Sequence, residues 1–117
     1  MDSCLFCNII AGKIPSNIIY ETDTLVVFPD IHPAADIHFL IVPKEHIREI
    51  GKIGLPAGKA GEDRGKLLTQ IYRVANELVE KNNLKDSSYR VLVNGGKAQH
   101  IPHLHFHLLG GTWRKFV

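Results

Sequence analysis

The chain carries no run of Lys and Arg, no apolar stretch approaching the roughly 20 residues of a membrane span, and only two cysteines in 117 residues. The first absence removes a nucleic-acid groove or an anionic membrane face, because 14 basic and 12 acidic side chains leave a net charge of only +2. The second removes a membrane span. Met1-Asp2-Ser3-Cys4 also lacks the basic flank and apolar run of a signal peptide, so a cytoplasmic protein is expected. Two cysteines rule out a disulfide framework. No internal repeat or low-complexity tract is present. A chain of this length buries about two-thirds of the surface its unfolded form exposes, which predicts a single domain over 1–117 that a metal staple or a partner subunit would help.

Periodicity places the elements. Cys4 to Ala11 has apolar residues at 5, 6, 9 and 10, Ser3 as N-cap and Gly12 as stop, and reads as a short helix. Ile18 to Glu21 and Thr24 to Phe28 are β-branched and aromatic runs separated by Thr22-Asp23, a hairpin pattern. Pro29 to Asp36 is a proline-bracketed loop, and Ile37 to Val42 is a nearly unbroken apolar run suited to a central strand closed by Pro43. Gly51 to Gly61 holds four glycines and one proline and reads as a linker. From Glu62 to Asn82, Leu67, Leu68, Ile71, Val74, Ala75, Leu78 and Val79 recur at three and four, which predicts one long amphipathic helix. Tyr89 to Val93 and His103 to Leu109 complete five strands, the last stopping at Gly110-Gly111.

Cys4 and Cys7 have C-x-x-C spacing. A thioredoxin-like redox pair would follow a strand, and none precedes this one, so the spacing favours metal ligation, with small buried hydrophobes as the alternative. His103-Leu104-His105-Phe106-His107-Leu108 carries more information. Strand alternation puts the three imidazoles on one face and Leu104, Phe106 and Leu108 on the other, which must be the core side. Seven histidines scattered at random would give this spacing about 1 to 2% of the time. Imidazoles in a row suit either a metal or phosphoryl chemistry, in which one ring attacks phosphorus and its neighbours donate to the charged oxygens. Asn94-Gly95-Gly96 and Gly110-Gly111 add backbone able to approach a phosphate.

These segments, with Phe28-Pro29-Asp30-Ile31, His38 to Pro43, Lys44-x-His46 and Val93-Asn94, resemble the histidine triad (HIT) superfamily in colinear order from Cys4 to Trp113. The branch resembled is that of the histidine triad nucleotide-binding proteins, the protein kinase C inhibitor-like group. The resemblance implies an α+β fold: a five-stranded antiparallel sheet with one long helix and a short N-terminal helix, in a homodimer whose two sheets become continuous. It implies a purine nucleoside phosphoramidase, of the adenosine 5'-monophosphoramidase type, releasing an AMP- or GMP-like monophosphate through a nucleotidyl-histidine. A dinucleoside polyphosphate hydrolase and a slow nucleotide-binding regulatory protein are the alternatives.

Carried over by residue, the resemblance makes His105 the nucleophile and His107 a contact to the phosphate oxygens. It assigns Asp30 and Ile31 to ribose and base, and Asn94 and Gln99 to phosphate. It implies one structural zinc on Cys4, Cys7, His46 and His103, completing the tetrahedron that a cysteine pair alone leaves half built. The loop from Asn94 to His103 is about two residues shorter than in the animal members of the branch, with His100 where those members carry a serine. His32, His38 and His100 read as loop or strand-surface residues.

Overall fold

The computed structural model describes residues 4–52 and 58–113. Its elements are α1 (Leu5–Ile10), β1 (Tyr20–Glu21), β2 (Leu25–Pro29), β3 (Ala35–Pro43), α2 (Lys59–Lys81), β4 (Tyr89–Val93) and β5 (Phe106–Trp113). The five strands form one antiparallel sheet in the order β1-β2-β3-β5-β4, so the long apolar strand β3 is central, as its unbroken run predicts.

The sheet separates two apolar clusters. On one face Leu25, Val27, Ile41, Leu104 and Leu108 meet Leu67, Ile71, Val74, Ala75, Leu78 and Val79 of α2. Truncating any one of the large aliphatic residues there would cost about 2–5 kcal/mol. On the other face Val26, Phe28, Leu40 and Val42 meet Cys4 and Phe6 of the N-terminal segment. Alternation along β2 and β3 therefore feeds both clusters: β2 is apolar throughout, and β3 departs from its apolar run only at the exposed Asp36 and at His38.

Local chemistry fixes the connections. Thr22 Oγ1 accepts from the Thr24 and Leu25 N–H groups at 3.2 and 3.0 Å, closing the β1–β2 hairpin. Helix α2 starts at Lys59, three residues before the expected Glu62, and draws in Gly61 from the glycine-rich linker. It ends where Asn83 turns left-handed, at φ 57°, and the Leu84 N–H donates to the Val79 carbonyl at 2.9 Å. Expected as an N-cap, Ser3 lies outside the described residues, as does part of the linker. Cys4 caps α1 instead, its Sγ accepting from the Cys7 N–H at 3.4 Å.

The last strand departs most from expectation. It begins at Phe106 rather than His103 and passes through Gly110-Gly111 to Trp113. Residues 103–105 do not join the ladder because their backbone is committed elsewhere: the Leu104 N–H donates to the Ile47 carbonyl at 2.6 Å, and the His103 carbonyl accepts from the His105 ring. The glycines continue the strand through a bulge rather than stopping it. Gly111 has φ +80° there, and a Cβ at Gly110 would strike Leu84.

Candidate active site and metal centre

Although His103 and His105 precede the paired strand, alternation survives. Leu104 is fully buried in the α2-side cluster, while the three triad rings take the opposite face beneath α1. That face is covered. Phe6 lies across it, edge-on to His105 with centroids 5.0 Å apart and to His103 at 5.8 Å, and His103 and His105 are 0% and 6% exposed. Water is thereby kept from the rings, which strengthens every electrostatic interaction they make.

Two clusters of potential ligands result. In the first, His103 Nε2–H donates to the Pro43 carbonyl at 2.7 Å, leaving Nδ1 as a lone pair. That Nδ1 lies 3.3 Å from Cys4 Sγ, 3.5 Å from Cys7 Sγ and 3.1 Å from His46 Nδ1, and Cys7 Sγ lies 3.2 Å from His46 Nδ1. Bonds of about 2.0–2.3 Å in a tetrahedral zinc site separate neighbouring ligand atoms by about 3.3–3.8 Å. The four donor atoms all fall within 4.8 Å of one another, and two thiols with two imidazole nitrogens make a closed set of the structural type. These residues fit a tetrahedral divalent metal.

The second cluster, Asp30, His38 and His107, is equally tight but wired differently. The Ala34 N–H donates to His38 Nδ1 at 3.0 Å, so the neutral ring carries its proton on Nε2. That proton points at His107 Nδ1, 2.9 Å away, with Asp30 Oδ2 at 3.5 Å. A protonated Nε2 cannot ligate, and the cluster is a hydrogen-bond relay. Its far end is the His107 Nε2–H, buried and without a partner among the described residues. An orphaned donor in a buried site calls for an acceptor from outside the protein.

Burial pushes the protonation of His38, His105 and His107 below the ordinary imidazole range; for His107 burial leads, the neighbouring His105 and His38 add to it, and the value falls to about 4. All three rings are neutral near pH 7. In His105, Nδ1–H donates to the His103 carbonyl at 2.7 Å, which leaves Nε2 as a lone pair, and its ring centroid is 4.9 Å from that of His107.

These rings stand in a cavity of about 610 Å³, within the range for small-molecule sites. Asp30 and Ile31, after β2, flank one end, and Asn94 lines the other. Ile31 is 83% exposed, an apolar side chain held out beside the mouth. Gln99, expected at the phosphate, instead donates from its amide to the Arg48 carbonyl at 2.6 Å and anchors the loop. His38 corrects the sequence expectation more seriously: it is 7% exposed and bonded to His107, not a strand-surface residue. A lone histidine inside the unbroken apolar run of β3 was the available signal, since such a ring is buried and needs a partner. Neither Phe6 nor its roofing role is legible from spacing.

Known proteins resemble this chain over most of its length. A family model described as "Scavenger mRNA decapping enzyme C-term binding" matches residues 3–115. The "14 kDa zinc-binding protein" of Zea mays is 38% identical over 109 residues, 92% of this chain and 80% of that protein. A HIT family hydrolase from Legionella pneumophila superposes with a TM-score of 0.86 at 34% identity, covering 97% of both chains. The histidine triad nucleotide-binding protein from Candida albicans gives 0.77 at 34% identity, covering 98% of this chain and 85% of that one.

Proposed function

This chain belongs to the histidine triad superfamily, and we propose that within it the protein is a hydrolase of purine nucleoside phosphoramidates. It would release AMP- or GMP-like monophosphates through a nucleotidyl-histidine. The observation that carries this is the His105 ring, whose Nδ1–H is held by the His103 carbonyl so that Nε2 faces the cavity side as a lone pair.

Attack by His105 Nε2 on phosphorus forms an N–P bond as the P–N bond to the amine breaks. Water then cleaves the intermediate and returns the lone pair to Nε2. Through both steps the His107 Nε2–H donates to a nonbridging phosphate oxygen. His38 keeps that proton in place by donating to His107 Nδ1, and the pre-set donor needs no reorganisation as charge builds. Asp30 and Ile31 take the ribose and base, and Asn94 takes the phosphate. Gln99 is left out of this set because it is not among the residues lining the cavity and holds the Arg48 carbonyl instead.

Cys4, Cys7, His46 and His103 would hold zinc, which supplies cross-linking rather than chemistry. The donor geometry and the zinc-binding maize relative support this. His103 joins the two sites, since the same residue offers Nδ1 to the metal cluster and its carbonyl to His105. The protein would act as a homodimer, supported by Tyr89 and Val91, half-exposed on the edge strand β4, and Tyr72, exposed on α2.

The test is His105→Asn and His105→Gly, measured for turnover of adenosine 5'-phosphoramidate and for AMP affinity, with rapid quench of the wild type. Turnover should fall by at least about 10³-fold with affinity largely retained, and label should appear on His105. Preferred turnover of a diadenosine polyphosphate, or label on another residue, would refute the assignment.

A further inference from the structure

The reaction needs a proton that the triad cannot provide. An amide anion is too basic to leave phosphorus, so the departing nitrogen must be protonated as the P–N bond breaks. His105 contributes a lone pair, not a proton. His107 is neutral, its single N–H faces the phosphate, and protonation of its second nitrogen is blocked by the donor on His38. His38 has both ring nitrogens engaged, Nδ1 accepting from the Ala34 N–H and the Nε2–H donated to His107.

Two further imidazoles line the cavity, His32 and His100. The sheet register separates them. β3 pairs at its start with the end of β5, Ala35 opposite Trp113, and near its finish with Phe106, Ile41 opposite it, while β2 ends at Pro29 opposite Phe39. The β2–β3 loop, with Asp30, Ile31 and His32, therefore sits at one end of the cavity, and the β4–β5 loop, with Asn94 and His100, at the other. The triad rings lie between. A nucleoside anchored at Asp30 and Ile31 directs its leaving group toward the β4–β5 loop. The backbone beside His100 is steadied by the Gln99 side chain on the Arg48 carbonyl.

We propose that His100 is the proton donor to the leaving amine and the acceptor of the proton from the hydrolytic water. This rests on the phosphoramidase assignment above. In the first step His105 Nε2 forms the N–P bond, the P–N electron pair takes a proton from the His100 imidazolium, and the amine departs. In the second, neutral His100 takes a proton from water as its oxygen attacks phosphorus, the P–N bond to His105 breaks, and the nucleoside monophosphate leaves with both histidines restored. His100 is solvent-exposed at the rim, where its proton exchanges with bulk water between turnovers.

The experiment compares His100→Gln and His100→Ala with wild type on two AMP derivatives: an alkyl phosphoramidate, whose leaving group needs a proton, and a p-nitrophenyl ester, whose leaving group does not. Loss of proton donation should lower the first-turnover rate of amine release from the amidate by 10²- to 10³-fold and change the first-turnover rate of p-nitrophenol release from the ester by less than about threefold, because His100 acts on water only in the later hydrolysis of the shared intermediate. Equal losses on both substrates would show that His100 only shapes the loop, and no loss on either would show that it is idle; each overturns the proposal while leaving His105 chemistry intact. If wild type turns over neither substrate, the phosphoramidase assignment and this proposal both fall.

Discussion

Replacing His38 tests the relay without touching substrate. In His38→Phe the apolar ring keeps the volume, but His107 Nδ1 loses the donor now 2.9 Å away. A buried acceptor left without a partner costs about 1–3 kcal/mol. The ring escapes that cost only by moving its proton from Nε2 to Nδ1, and then a lone pair instead of an N–H faces the phosphate. In that tautomer the transition state loses a hydrogen bond to a charged oxygen, worth about 1.5–3 kcal/mol, and kcat should fall by roughly 10- to 150-fold. His38→Gln, whose amide can still donate, should recover most of it. The assay is steady-state turnover of adenosine 5'-phosphoramidate, with thermal melting to establish folding and ¹⁵N chemical shifts of His107 to report its tautomer. Wild-type turnover in His38→Phe, or a His107 that keeps its Nε2–H without His38, would refute the relay.

Three further outcomes are expected. Protein purified without chelator should hold close to one zinc per chain, Cys7→Ser should lose it, and a strong chelator should depress the melting temperature by roughly 10 °C; no metal in the wild type would refute the site. Because His107 is held down to about 4 in the folded protein while an unfolded imidazole titrates near 6.5, the unfolded state binds the extra proton between those values, and stability should fall as pH drops through that window. The ceiling is about 3 kcal/mol, reduced to about 1–2 kcal/mol because the half-buried ring is partly screened by solvent. Urea midpoints at pH 7 and pH 5 should show that loss, and His107→Gln should reduce it; an unchanged difference would refute the cause. Light scattering at micromolar concentration should give twice the 13.1 kDa chain mass, with Val91→Lys shifted toward monomer; a single-chain mass at every concentration would exclude the dimer.

Elements with strong local determinants were legible from the sequence alone. The helical period of α2 and the apolar run of β3 fixed type and approximate extent, because one amphipathic face or a fully buried strand leaves few other arrangements. Spacing also brought out the cysteine pair and the alternation of His103, His105 and His107. Where the termini fell was less legible. β5 slid toward its C-terminus because the backbone of residues 103–105 found partners in Ile47 and in the His105 ring, and Gly111 could bulge where two glycines read as a stop.

The tertiary structure alone decided the roles within the histidine set, because a ring's role follows from which nitrogen holds its proton, and that depends on acceptors distant in the chain. Pro43, 60 positions from His103, frees Nδ1 for the metal cluster. Ala34 makes His38 a donor to His107, 69 positions away, converting an apparent surface residue into part of the site. The same dependence gives Gln99 a backbone partner 51 positions away, its amide donating to the Arg48 carbonyl. Residue type and spacing determine which side chains can do chemistry; the hydrogen-bond partners supplied by folding determine which atom of each one does it.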